Sequence, residues 1–407
     1  MNEAVFMPDI TKKKFNLTLF DIVMCALIVT SIALYDIKLV FLGLQAVAFF
    51  ITFLYVIGNQ HMLKGTLVYY LLWLGAFVFY GVCSLLWASR ENVTAITVTL
   101  SVIQVGLIAF CILYYCAFTR KTEFALWCFV FAALVFCARF FLTVPSSMWG
   151  QAARFKDYGV FGSNTPAMVM AYASIILIWM CFFKENPLKN KVFPLICVFM
   201  FMFISVLMGT KKSLLIFAVC MIIFLLGSAK NPVKLMSRLA LIGVAVVGVY
   251  FLFTEVPMLY NSIGYRIEGL FSLFDSSSGG EVDASTEDRA EHIVKALQAF
   301  VRHPLLGLGQ DGYRYTNAKI TYSHNNYVEL LANLGIAGFS IYYALYVWII
   351  RRGLRIFKRN MLPVCISVAI LLADIAIVSY SFESVYVLSA MSLALIMQSQ
   401  NDASTDV

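Results

Sequence analysis

Charge is scarce in this 407-residue chain: Asp, Glu, Lys and Arg together make up 13% of it, against roughly 25% in a soluble domain. With 61% apolar residues, that scarcity excludes a soluble globular protein and a disordered scaffold. The apolar runs are continuous rather than alternating, which excludes a β-barrel. There are only four histidines. The chain lacks a phosphate-cradling GxxxxGK[ST] loop, an HExxH helix, a DxD-like pair and any His/Cys cluster with metal spacing. No metal ligand and no cofactor is predicted from these residues. A CxxC pair is also missing, and all ten cysteines fall inside apolar runs, so they read as small buried hydrophobes rather than disulfides. The net charge of +8 does not signal nucleic acid, because the basic residues are spread over short connections, as the positive-inside rule expects.

What remains is apolar length. A helix crosses a hydrocarbon core of roughly 30 Å with about 20 residues, and twelve apolar runs approach that measure. They cover 17–36, 39–58, 66–88, 95–118, 124–143, 166–183, 192–208, 213–227, 239–256, 326–350, 361–380 and 384–398. The fold class expected is an all-α polytopic membrane protein, a single integral membrane domain over 1–407. If the N-terminus is cytoplasmic, the inside connections hold 17 of the 30 Lys and Arg residues, which orients both termini to the cytoplasm. Lys12, Lys13 and Lys14 precede a run with no small-residue cleavage site, so no cleavable signal is expected. Trp87, Trp127, Trp149 and Trp348 fall near predicted helix ends, where an aromatic belt would sit.

One connection stands apart. Residues 257–325, 69 in all, carry eight acids and six bases between the ninth and tenth helices, and long connections of this kind are commonly functional. Ser276 to Gly280 is a Ser/Gly run. Ser285 is a candidate N-cap, with Glu287 and Asp288 in a first turn. Ala290, Ile293, Val294, Leu297, Phe300 and Val301 follow at helical spacing until Pro304 stops the helix. The pattern predicts a short amphipathic helix on the membrane surface or against the bundle, followed by a tight turn at Gly307 and Gly309.

Candidate site residues are cations and one histidine on the outer side. Lys211 and Lys212 occupy a very short turn between two membrane helices, against the positive-inside tendency. They either snorkel to headgroups or bind an anionic ligand such as a diphosphate. Arg154 and Lys156 lie in an outer loop, Trp149 to Pro166. Arg139 near a helix end reads as a snorkelling or ion-paired side chain. Arg289 stands beside Asp288 and near Glu291, where a cation opposes the helix dipole. This fits either a local salt bridge or an anion clamp. His324 ends the long loop and is the candidate general base, with Asn325, Asn326 and Glu329 placed to orient it or to meet sugar hydroxyls. His61, His292 and His303 have weaker claims. The acids Asp374 and Glu383 in the last two helices would suit a proton relay.

The ordered set Glu287-Asp288-Arg289 … His303-Pro304-Leu305-Leu306-Gly307-Leu308-Gly309 … Ser323-His324-Asn325-Asn326-Tyr327 … Gly335 … Gly338 resembles the shared domain of O-antigen ligases and Wzy-type polysaccharide polymerases. The resemblance implies a GT-C-like fold with residues 257–325 as the extracytoplasmic catalytic loop. It implies an undecaprenyl-diphosphate-linked oligosaccharide as donor and metal-independent, inverting glycosyl transfer at the outer face of the bacterial cytoplasmic membrane. Carried over by motif, the family's loop Arg is Arg289 and its His is His324. The Gly-Ser-Arg motif corresponds to Gly209-Thr210-Lys211, where Lys offers a point charge in place of a bidentate fork. The loop with Arg154 before Gly162-Ser163-Asn164-Thr165-Pro166 resembles the family's Arg-bearing outer loop. His324 and Arg289 are thus the expected catalytic pair, and Lys211, Lys212, Arg154, Asn325 and Tyr327 the expected diphosphate and sugar contacts. A flippase and a chain-length regulator of the same pathway are the implied protein partners.

Three functions fit these residues, beside a membrane scaffold for polysaccharide assembly that would depend on none of them. A polymerase joins lipid-linked repeat units, and a ligase passes the glycan to another acceptor such as lipid A core. A lipid-linked oligosaccharide transporter would use the cations without bond breaking and would depend on Asp374 and Glu383 rather than His324. The reading adopted from the sequence is the polymerase, on likeness in the Ser-rich loop and the His-Asn-Asn-Tyr stretch.

Overall fold

The computed structural model describes residues 17–89, 92–149, 158–162, 165–229, 231–255, 284–316 and 321–405. Each of the twelve expected apolar segments contains a helix, although the 361–380 run is helical only to Asp374, and no strand occurs among the described residues. The helices are α1 (Leu19–Ala33), α2 (Lys38–Gly58), α3 (Thr66–Ser84), α4 (Ala95–Thr119), α5 (Thr122–Thr143), α6 (Thr165–Ile178, extended by a π-turn over Trp179–Phe183), α7 (Val192–Leu207), α8 (Lys211–Gly227), α9 (Pro232–Glu255), α10 (Ala284–Arg302), α11 (Asn326–Arg355), α12 (Leu362–Asp374) and α13 (Glu383–Thr405). Six of them are long and apolar enough to cross a membrane: α2, α3, α4, α5, α6 with its π-turn, and α11. The architecture is that of a polytopic helical membrane protein.

Local chemistry sets the boundaries. Thr18 caps α1 in a reciprocal box with Asp21: the Asp21 N–H donates to Thr18 Oγ1 at 3.2 Å and the Thr18 N–H to Asp21 Oδ2 at 2.7 Å. This satisfies two donors that a helix start leaves open. Arg120 ends α4 at φ 57° and turns the chain directly into α5. Helix α6 is buried nearly all round and forms the middle of the bundle, packed by α5, α7 and α8. Helix α13 lies along α4, and α11 lies between α3 and α12. In contrast, α2 turns Leu39, Leu42, Phe50, Phe53 and Leu54 outward, as a lipid-facing helix does.

The two ends of the bundle differ. At one end the connections are basic and ion-paired: Lys121 meets Asp21 at 2.7 Å, Lys184 meets Glu123, and Arg359 meets Glu185 at 3.7 Å. The other end carries the amphipathic helix and all the described candidate cations. There Arg139 pairs in bidentate fashion with Asp36, at 2.6 and 2.9 Å, so its role is an ion pair joining the ends of α1 and α5.

The long connection is anchored by a wedge. Gly335 interrupts α11 at φ 61°, ψ −169°, which leaves backbone groups on both sides without helical partners. The His303–Gly309 turn supplies them. Ile336 N–H donates to the Pro304 carbonyl at 2.9 Å, while Leu308 and Gly309 N–H donate to the Ala332 and Asn333 carbonyls at 2.9 and 2.8 Å. Gly307 lies at φ 71°, and a Cβ there would come within 2.4 Å of the Asn333 carbonyl. Two glycines therefore make one joint, each required by close backbone approach. Beyond the joint, Gln310 N–H donates to Ser84 Oγ at 3.0 Å and Asn92 Nδ2 to the Gln310 carbonyl at 2.6 Å, which ties the loop to the ends of α3 and α4.

Candidate active site

The first element of the site is the start of α8. Gly209, at φ 63°, reverses the chain, and its N–H donates to the Val206 carbonyl at 2.8 Å. Thr210 Oγ1 donates to the Ser205 carbonyl at 3.1 Å and lies 2.8 Å from Ser213 Oγ. The helix begins two residues earlier than the sequence suggests, so Lys211 and Lys212 form its first turn rather than the linker before it. Cations there oppose the helix dipole and need acceptors elsewhere. Lys212 Nζ donates to the Ala376 carbonyl.

The second element is the start of α11. Ser323 N–H donates to the buried Glu329 carboxylate at 2.7 Å, and Ser323 Oγ donates to the Asn325 carbonyl at 2.9 Å. This bracing holds His324 at φ 61°, a region non-glycine residues rarely occupy. Asn325 caps the helix by accepting from Val328 N–H at 3.1 Å, and its Nδ2 donates to the Ile375 carbonyl at 3.0 Å.

Both helix starts thus meet at the break between α12 and α13, and that break has its own anchor. Asn326 Oδ1 accepts from the Ser379 and Tyr380 N–H groups at 3.0 and 3.1 Å. Its Nδ2 donates to Asp374 Oδ2 at 3.1 Å. Asp374 also accepts from Tyr343 OH at 2.9 Å and from Ser379 Oγ. A buried carboxylate satisfied on both oxygens fixes the local chain path.

The third element is α10, packed on α11. It starts at Ala284, so Ser285 is inside its first turn and Arg289 is in its second. Arg289 is half-buried and close enough to act on the charge of His324. The His324 imidazole is held down to about 4, first by burial, then by the positive fields of Arg289 and Lys212 and by His292, with Asp288 opposing. It is therefore neutral at pH 7, within the field of two cations. Its ring lies 4.3 Å from that of Tyr322 and 6.4 Å from that of His292, centroid to centroid. His292 is buried, with Nε2 3.9 Å from Asp288 and Nδ1 3.3 Å from Tyr313 OH. Tyr313 OH donates to the His292 carbonyl at 2.8 Å.

The fold brings together His324, Arg289 and Lys212, with Lys211 on the same turn as Lys212. Asn325 joins them through its side-chain tie to Ile375. Tyr327 faces the other way: its hydroxyl donates to the Leu371 carbonyl at 2.8 Å and its ring stacks on Tyr343 with centroids 4.9 Å apart. Its hydroxyl and ring are thus engaged within the bundle. Arg154 and Lys156, like the Ser276–Gly280 run, lie outside the described residues. Glu383 borders a cavity of about 90 Å³ with Ser31, Tyr35, Thr165 and Ser384, while Asp374 is the anchor described above. Two features were not legible in sequence. His292 enters the site because one helical turn carries it past Arg289 to the α11 side, and Asp374 serves as anchor rather than as an isolated acid.

Among known proteins, the match is to a domain. Residues 195–343 match the family model described as O-antigen ligase (Wzy_C). The match runs from α7 into α11 and includes Lys211, Lys212, Arg289, His324, Asn325 and Tyr327. No curated protein matches the chain. Members of this family are glycosyltransferase-like membrane enzymes acting on lipid-linked glycan. What the comparison shows is thus an O-antigen ligase-type domain over residues 195–343 of the chain.

Proposed function

We propose that the protein is a Wzy-type polymerase of bacterial cell-surface polysaccharide, joining undecaprenyl-diphosphate-linked repeat units without a metal. In this reading the twelve apolar helices span the cytoplasmic membrane with both termini inside, and the α10 end of the bundle faces outward. The observation that carries it is the convergence at one end of the bundle of His324, held at φ 61° before α11, with Arg289 and Lys212, which are near enough to act on its charge. Glycosyl transfer from a lipid diphosphate needs little more than this. The acceptor hydroxyl oxygen attacks the anomeric carbon, the bond from that carbon to the phosphate oxygen breaks, and the lipid diphosphate departs with the electron pair. Arg289, Lys212 and Lys211 stabilise the charge on the leaving group. His324 takes the acceptor's proton.

The electrostatics favour an ordered cycle. Without donor, burial first and the two cations next keep His324 neutral but make it a weak base. A bound diphosphate offsets their field, so the imidazole becomes more basic once the leaving group is in place. Arg154 is assigned to the same diphosphate by motif likeness, and Asn325 and Tyr327 to the sugar side. Asn325, held near the His324 backbone, is better situated for that than Tyr327. A flippase supplying the donor and a chain-length regulator are the expected protein partners.

The family description favours a second reading, a ligase that delivers glycan to a distinct acceptor with the same catalytic groups. Reconstitution of the full chain with an oligosaccharide on undecaprenyl diphosphate, with no second acceptor, separates the two. A ladder of repeat lengths is the expected product. Donor that stays intact until a different acceptor is supplied would make the protein a ligase. Donor never consumed under either condition would favour a transporter.

A further inference from the structure

Helix α10 has three faces where an ordinary surface helix has two. At about 100° per residue, His292, Ala296 and Ala299 share one side, and this side is packed: His292 and Ala296 are buried, and Ala296 joins Val328 and Ala332 of α11 in a small core. Glu291, Lys295 and Arg302 share a second side that is charged, with Lys295 and Glu291 2.7 Å apart. Ala290, Val294, Leu297 and Val301 share a third, which is apolar yet open. Val294 is 52% exposed, Leu297 41% and Val301 73%.

The open stripe does not stop at the end of the helix. Leu305 and Leu306 of the following turn are also exposed. Tyr80 of α3 donates its hydroxyl to the Leu334 carbonyl at 3.0 Å and to the Leu306 carbonyl at 3.4 Å, which sets that turn against the end of α3. On α3 itself Phe79 and Val82 point outward, as does Leu86 just past its end, and α3 is long and apolar enough to span a membrane. The apolar stripe of α10 is therefore continuous with a membrane-facing surface, and its charged side is turned away from it. A helix with one side packed, an open apolar side across from it and its charge gathered between the two is arranged to lie in the plane of a membrane interface.

We propose that α10 is an interfacial helix whose stripe Ala290–Val294–Leu297–Val301, continued by Leu305 and Leu306, is seated on the hydrocarbon edge of the phospholipid bilayer, with Glu291, Lys295 and Arg302 in water. The seat holds Arg289, one residue from the start of the stripe, at headgroup depth. If the polymerase reading holds, this is the depth at which a lipid-linked diphosphate arrives.

The test uses photocrosslinking and needs neither donor nor turnover, so it stands or fails separately from the polymerase reading. A benzophenone amino acid is placed singly at Leu297, Val301, Glu291 or Lys295 in the full chain, and at the outward-facing Phe50 of α2 as a lipid-exposed reference. Each variant is reconstituted in phosphatidylethanolamine–phosphatidylglycerol vesicles and irradiated, and phospholipid adducts are quantified by mass spectrometry. Positions 297 and 301 should give adduct yields comparable to position 50 and roughly fivefold or more above 291 and 295. Equal yields at all four helix positions, or protein crosslinks in place of lipid at 297 and 301, would overturn the proposal.

Discussion

Lys212 and Asn325 reach neighbouring carbonyl groups of one chain break: Lys212 Nζ donates to the Ala376 carbonyl and Asn325 Nδ2 to the Ile375 carbonyl. The N-terminus of α8 and the N-terminus of α11, far apart in sequence, are thereby fixed on the same few atoms between α12 and α13. Asp374, immediately before those carbonyls, is held by Asn326, Tyr343 and Ser379. The cation and the histidine proposed to act together thus share one scaffold.

That shared scaffold predicts coupling. Lys212→Met and Asn325→Ala should each destabilise the protein, the latter by about 1 kcal/mol through loss of the helix cap. The double variant should depart from the sum of the two by about 0.5–3 kcal/mol. Denaturant unfolding in detergent measures this. Additivity to within about 0.3 kcal/mol would mean the two ties are independent.

His324→Ala and Arg289→Ala should lower turnover by about 10²–10⁴-fold, the contribution expected of a positioned base and of charge stabilisation. Both variants should insert and fold normally. Lys211→Arg should retain activity if the residue meets phosphate, and Lys211→Ala should lose most of it. Product ladders from reconstituted protein report all four. Normal ladders from both His324→Ala and Arg289→Ala would remove the site assignment, and equal activity of all three forms at 211 would return Lys211 to a headgroup contact.

The depressed His324 value gives a pH signature. Its neutral form persists down to about pH 4, so the acid limb of kcat/KM should lie well below the 6.5 of an ordinary imidazole. Removing a neighbouring cation favours the protonated ring, so residual activity in Arg289→Gln should show an acid limb shifted to higher pH. Stability follows the same linkage: the unfolded chain binds the proton first as pH falls from 6.5 towards 4. His324's contribution is thus fully present above 6.5 and declines through that window. An unchanged acid limb in Arg289→Gln would show that Arg289 does not face the imidazole.

Two positive-φ positions should respond in opposite directions. His324 at φ 61° should be relieved by glycine, so His324→Gly should be about 1 kcal/mol more stable than His324→Ala, although both are inactive. Gly307→Ala should destabilise, because its Cβ would lie 2.4 Å from the Asn333 backbone where α11 accepts the loop. Thermal unfolding of the three variants gives the order directly.

By itself, the sequence determined the membrane class, the twelve helical segments and the amphipathic helix stopped by Pro304. These follow from hydropathy and local periodicity, which act over a few turns of chain. It also marked Arg289, His324 and Lys211, because their motifs are local. What it did not contain was their meeting. Helix α8 begins at Lys211 rather than Ser213, and the tertiary contact with the α12–α13 break gives Lys212 an acceptor. Tyr327, on the same motif as His324, turns into the bundle because helical geometry directs adjacent residues about 100° apart. His292 has no motif of its own and reaches the site because α10 packs that side on α11. Asp374 is one acid in an apolar run until Asn326, Tyr343 and Ser379 surround it. Hydrophobicity places helices in a bilayer, but long-range hydrogen bonds at helix ends decide which side chains face one another.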